Sequence, residues 1–199
     1  RVTGELGLFS QALRDLSATQ QYAPKVLGVT GTNGKTTVTS LTAKLAASDG
    51  LSVVAAGNIG PSLLDTLQEK LDAGALPQVW VLELSSFQLE LESGFEPTAA
   101  TVLNVTQDHL DWHDSMAAYA QAKSRVFGQG GLMVLNRDDA TVMQMYAAEN
   151  QKIAAVTAPY SGRNKTSKLV PVRDMQSFGA GLPTRAGDFG LDTTAGMTW

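Results

Sequence analysis

The sequence predicts an α/β fold: a mostly parallel sheet with helices on both faces, carrying a phosphate-binding loop and extended by a C-terminal antiparallel hairpin. Three observations predict it. Short apolar runs at 26–29, 51–56, 79–84, 99–105, 132–135 and 153–156 lack period-2 alternation, as strands buried on both faces do. Stretches of helical period lie between them. A glycine turn, GTNGKTT at 31–37, sits directly between the first apolar run and the helical stretch after it.

Each element has its own warrant. Residues 5–23 read as an amphipathic helix, with Leu6, Phe9, Leu13 and Leu16 on one face and Pro24 closing the segment. After the glycine turn, Val38, Leu41 and Leu45 keep helical spacing, and Gly50 supplies the C-cap. A second glycine turn, Gly57-Asn58-Ile59-Gly60, follows the second strand. Pro61 then stands where a helix opens, with Leu63, Leu64, Leu67 and Leu71 as its apolar face. Residues 115–127 and 139–149 read as helices. Residues 157–188, rich in Gly, Ser, Thr and Lys, read as irregular. Phe189 to Trp199 reads as strand, turn (193–196) and strand, the hairpin appended to the sheet.

The chain has 199 residues and a formal charge of −4, with 43% hydrophobic residues, enough for a core. The absence of cysteine excludes disulfides, cysteine zinc sites and thiol catalysis. No apolar run reaches the length of a membrane-spanning helix. The 15 Lys and Arg against 19 Asp and Glu argue against a general nucleic-acid binder and leave room for a local phosphate site. RVTGELGLF at the start is no signal peptide. With no initiator Met and an abrupt stop at Trp199, both ends read as cuts in a longer protein.

The loop Gly31, Thr32, Asn33, Gly34, Lys35, Thr36 combines three phosphate-binding devices: glycine-permitted backbone N–H groups, a helix N-terminus and a lysine charge. Thr36 would offer its hydroxyl to Mg²⁺. The strict pattern has glycine at the position of Val29, so the motif departs from it; a structural glycine turn with a solvated lysine is the alternative. Glu83 lies at the carboxyl end of the apolar VWVLEL run, where ligands of parallel sheets collect, and can ligate Mg²⁺; the alternative is a solvent-facing edge glutamate. His109 follows the next strand among carboxylates and is a site residue or a structural histidine. His113 makes two histidines in five residues, but no third ligand at a standard spacing supports zinc. Spacing alone gives Lys123 no catalytic role.

GTNGKTT, GNIG at 57–60, ELSSFQLE at 83–90, NVTQDHLDWH at 104–113 and YAQAKSRVF at 119–127 together resemble the Mur ligase family. The resemblance spans nearly the whole chain, and ELSSFQLE with NVTxDHLD resembles its D-glutamate-adding member. It implies an enzyme of three domains, of which residues 1–24 lead into the central ATP-binding domain and 25–199 form most of that domain. It implies ATP-driven joining of D-glutamate to UDP-N-acetylmuramoyl-L-alanine through an acyl phosphate, in peptidoglycan precursor synthesis, by a cytoplasmic monomer without nucleic-acid or membrane partners. The adenine-contacting segment then lies beyond Trp199, and the isolated piece is incompetent for turnover. Residue by residue, Gly31, Thr32, Asn33, Gly34, Lys35, Thr36 and Thr37 resemble the ATP phosphate loop, with Lys35 on the β- and γ-phosphates. Thr36 and Glu83 resemble the holders of a first Mg²⁺, His109 a ligand of a second, and Lys123 the lysine carbamylated by CO₂. Asn58, Ser85, Ser86, Gln88 and His109 resemble residues around the muramoyl-alanine substrate. Gln107 stands where some relatives carry glutamate, and Asp108 receives no separate role. Two alternatives stay open: a folylpolyglutamate synthase-like ligase, and a non-catalytic nucleotide-binding module.

Overall fold

A computed structural model describes residues 3–91, 94–157, 173–183, 185–194 and 197–198. Six strands form one sheet: β1 (Lys25–Thr30), β2 (Val53–Gly57), β3 (Val79–Glu83), β4 (Ala99–Val102), β5 (Leu132–Asn136) and β6 (Met175–Phe178), in the order β2-β3-β1-β4-β5-β6. Every pairing in it is parallel. The helices are α1 (Glu5–Gln20), α2 (Lys35–Ser48), α3 (Leu63–Asp72), α4 (Ser86–Glu90), α5 (Leu110–His113), α6 (Met116–Ser124) and α7 (Ala140–Thr157), with a 3₁₀ turn at Arg125–Phe127 after α6.

Strand side chains alternate between two cores. Trp80 and Leu82 of β3 enter the larger one, with Leu6 and Phe9 of α1, Leu63 and Leu67 of α3, Tyr119 of α6 and Val142 of α7. Val79 and Val81 enter the smaller one, which Val38 and Ala43 of α2 cover together with Val29, Leu103 and Phe178. Local signals fix the helix starts: Ser62 caps α3 by accepting from Asp65 N, and Ser115 caps α6 by accepting from Ala118 N. Gly50 follows the end of α2 with φ 84°, as the C-terminal turn requires.

Three expectations are corrected. The sheet is entirely parallel and does not end in an antiparallel hairpin. Its last strand is β6, and Phe189 touches that strand only as a single parallel bridge to Phe178. The short strands β7 (Thr193–Thr194) and β8 (Met197–Thr198) form a separate two-stranded ladder. The apolar run 153–156 continues α7 instead of forming a strand: no Gly or Pro interrupts 139–156, and Ala154 and Ala155 favour helix. The place expected for that strand is filled by β6, inside the stretch expected to be irregular; residues 158–172 and 184 of that stretch lie outside the described residues. Pro61 precedes the Ser62 cap and is not the first helical residue.

Candidate active site

The alternation along β3 decides where Glu83 goes. It shares the face of Val79 and Val81, beneath α2, and its strand register places it beside Val29 of β1. The carboxylate is 2% exposed. An acid in such a run needs partners, and both oxygens have one. Thr36 Oγ1 donates to Oε2 at 2.8 Å, and Asn58 Nδ2 donates to Oε1 at 2.9 Å. The end of β2 passes close by. Gly57 has φ 106°, and a Cβ there would stand 2.4 Å from the Glu83 carbonyl oxygen, which also accepts from Asn58 N at 2.9 Å.

Strand β1 runs on to Thr30, so Val29 is a buried strand residue and the loop begins only at Gly31. That is why a glycine at 29 is not required. Gly34 takes φ 84° and opens α2 at Lys35. The first-turn N–H groups of Lys35, Thr36 and Thr37 are those a helix cannot satisfy internally, and they suit an anion. The loop is pinned from the segment after β4. Thr32 N donates to Asn104 O at 3.0 Å, Asn33 N donates to Asn104 Oδ1 at 2.9 Å, and Asn104 Nδ2 donates to Asn33 O at 3.0 Å.

Two lysines meet on this loop. Lys35 Nζ donates to Gly31 O at 3.0 Å and to Thr32 O at 2.9 Å. Lys123 Nζ, reaching across from α6, donates to the same Gly31 O at 3.0 Å. Lys123 is 2% exposed. Burial, reinforced by the charge of Lys35 and opposed by Asp108, lowers its ammonium to about 7. An amine in that state can act as a nucleophile toward CO₂, which an ordinary surface lysine at neutral pH rarely does.

The remaining candidates are arranged differently. His109 takes a left-handed conformation, φ 51°, at the head of α5. Its ring is 45% exposed, 3.4 Å from Asp108 and 5.0 Å from the Phe87 ring centroid. Among the described residues no hydrogen bond joins it to Glu83 or Lys123; it shares with Lys123 the Tyr119 ring and the nearby Asp108 carboxylate. His113 turns inward, with Nε2 2.9 Å from Ser86 Oγ, so the two histidines do not make a zinc pair. Ser85 and Gln88 form the capping box of α4, Ser86 is buried, and Asn58 is exposed beside Glu83. Among the described residues, no three His, Cys, Asp or Glu side chains cluster as a metal cage. Mg²⁺ does not need one. It takes one or two carboxylates with phosphate oxygens and water, and the Glu83 carboxylate with the Thr36 hydroxyl 2.8 Å away is such a donor set. Asn104, Thr106 and Tyr119 hold the loop, although residue types and spacing assigned them no role. Two cues existed: Asn104 and Thr106 belong to NVTQDHLD, and Tyr119 stands one helical turn before Lys123.

A parallel sheet with a GxxGKT loop at its carboxyl edge and a buried acid ending the neighbouring strand defines a nucleotide-phosphate-binding α/β protein. The Mur ligase middle domain matches residues 29–182, and the chain belongs to the Mur ligase family. It is 61% identical over its whole length to a UDP-N-acetylmuramoylalanine–D-glutamate ligase of Albidiferax ferrireducens, covering 37% of that protein. It is 56% identical over 89% of its length to the ligase of the same name from a Polaromonas species, covering 28% of it. A solved UDP-N-acetylmuramoyl-L-alanyl-D-glutamate–2,6-diaminopimelate ligase superposes with TM-score 0.67 at 25% identity, over 98% of this chain and 40% of that one. The chain thus spans about a third of the length of the relatives it matches. Among the described residues, no helix is long and apolar enough to cross a membrane.

Proposed function

We propose that this chain is the ATP-binding portion of a cytoplasmic ligase that joins D-glutamate to UDP-N-acetylmuramoyl-L-alanine in peptidoglycan precursor synthesis. The observation that carries the proposal is the buried Glu83–Thr36 contact beneath the GTNGKTT loop, in a chain whose full-length match is a ligase of that name.

The residues divide the work by position. The loop N–H groups and Lys35 receive the β- and γ-phosphates; Lys35 exchanges its bonds to Gly31 O and Thr32 O for phosphate oxygens. Thr36 and Glu83 would hold Mg²⁺, which when bound would supply positive charge to the phosphoryl oxygens. His109 is assigned to a second Mg²⁺. Lys123, buried and easily deprotonated, would as a carbamate supply an anionic oxygen for that ion. Asn58, Ser85, Ser86 and Gln88 border the muramoyl-alanine. The alanine carboxylate attacks the γ-phosphorus, the bond to ADP breaks, and an acyl phosphate forms. The D-glutamate amine, having lost a proton, then attacks the acyl carbon; the amide bond forms and phosphate leaves.

The test uses the full-length polypeptide that carries this chain. Supplied with ATP, Mg²⁺, UDP-N-acetylmuramoyl-L-alanine and D-glutamate, it should release ADP and phosphate and form the glutamyl amide. Preference for a folate acceptor would reassign the substrate, and ATP binding without amide formation would leave a nucleotide-binding module.

A further inference from the structure

Tyr119 occupies a junction that none of the proposed roles uses. It is 1% exposed, one turn before Lys123 on α6. Its hydroxyl lies 3.3 Å from Thr32 Oγ1 in the phosphate loop. The Thr32 hydroxyl donates to Thr106 O at 3.2 Å and accepts from Thr106 N at 3.0 Å. The Thr32 hydroxyl thus bonds Thr106 and Tyr119 together, linking α6 to the phosphate loop. On the other side, Lys123 Nζ stands 4.4 Å from the Tyr119 ring centroid, within cation–π range. The ring is walled in by His113 at 5.2 Å, itself anchored on Ser86, and His109 approaches it at 6.3 Å.

We propose that Tyr119 is a positioning residue for the nucleotide site: its hydroxyl fixes the phosphate loop through Thr32, and its ring fixes the amine of Lys123, so one side chain sets the spacing between the two. This role rests on the nucleotide site proposed above. The two functions sit on separable atoms. Tyr119→Phe deletes the hydroxyl and keeps the ring; Tyr119→Leu deletes both.

The experiment measures ADP·Mg²⁺ affinity by titration calorimetry, thermal midpoint, and ligation kinetics for the full-length polypeptide and the two variants. Tyr119→Phe should weaken ADP·Mg²⁺ binding by roughly three- to tenfold, the worth of one buried hydrogen bond. KM for ATP should rise by the same factor with kcat unmoved, and the thermal midpoint should fall by no more than about 2–4 °C, the loss of that one bond. Tyr119→Leu should weaken binding equally and lower kcat about tenfold more, because the end of the Lys123 side chain also loses the ring it packs against. A Tyr119→Phe protein that binds ADP as the parent does overturns the proposal, as does a parallel fall of kcat and affinity tracking a lost thermal midpoint. A parent that binds ADP but forms no amide overturns the reaction and not the role of Tyr119, which the Phe variant's affinity still decides. A parent that binds no nucleotide overturns both.

Discussion

Glu83 ends strand β3 and His109 follows strand β4 of the same sheet, and both are candidate metal ligands. Glu83 is 2% exposed with both oxygens bonded, while His109 keeps 45% of its side chain exposed beside a single carboxylate at 3.4 Å. The difference lies in what positions them. Glu83 is set by the register of β3 between β1 and β2, so the pleat aims it. His109 sits at a left-handed residue heading a four-residue helix. The phosphate-loop half of the site is thus organised by sheet and loop bonds before any ligand arrives, and His109 is held by its turn and by ring contacts to Phe87 and Tyr119, with no strand register to aim it.

The largest effect expected on that contrast comes from the organised half. Lys35→Ala in the full-length polypeptide should lower kcat/KM of the proposed ligation on the order of 10²–10⁴-fold, because the removed charge faces phosphoryl oxygens that gain charge in the transition state. Ligation kinetics within threefold of the parent would make the loop structural only. Lys123→Ala should cost on the order of 10²-fold. Acetate or formate should restore part of that activity by supplying the missing oxygen anion. Near-normal turnover without added anion would remove the carbamate from the account.

Stability separates the halves further. Gly57→Ala forces a Cβ toward the Glu83 carbonyl, 2.4 Å away, at a φ that L residues rarely adopt; about 1–3 kcal/mol should be lost in denaturant unfolding. An unchanged unfolding midpoint would show that β2 can move away from Glu83. Lys123 adds a pH dependence. Its ammonium is lowered to about 7, from 10.5. The unfolded chain therefore binds more protons between those values, so stability rises with pH across that window and falls as pH drops toward 7. The thermal midpoint of the parent, relative to a Lys123→Met variant, should climb across the window; a flat difference would mean that water reaches the amine. The smallest effect belongs to the exposed half: His109→Ala should change stability by under about 0.5 kcal/mol. A larger loss would erase the contrast.

The same division explains what could be read from the amino-acid sequence. Strands β1 to β5 announce themselves as apolar runs, and the loop by its glycines, because both signals are local. The sixth strand does not. Met175–Phe178 carries two adjacent polar residues, Gln176 and Ser177, while the more apolar 153–156 is helix, and only tertiary pairing with β5 tells them apart. The pair 193–194 and 197–198 is antiparallel, but nothing local says that it stands apart from the sheet edge. In the site, Glu83 needed only its place in a strand to be singled out. Asn104 and Tyr119 act across 71 and 87 residues of chain, through contacts no spacing rule reaches.

The central claim, that the loop above Glu83 serves transfer of a phosphoryl group to a carboxylate, is tested most directly by oxygen isotope. UDP-N-acetylmuramoyl-L-alanine labelled with ¹⁸O in both oxygens of the alanine carboxylate is incubated with the full-length polypeptide, ATP, Mg²⁺ and D-glutamate, and the released phosphate is analysed by mass spectrometry. The account predicts phosphate carrying one ¹⁸O for each amide formed, since the carboxylate oxygen leaves with the phosphoryl group. Unlabelled phosphate accompanying ADP would contradict it.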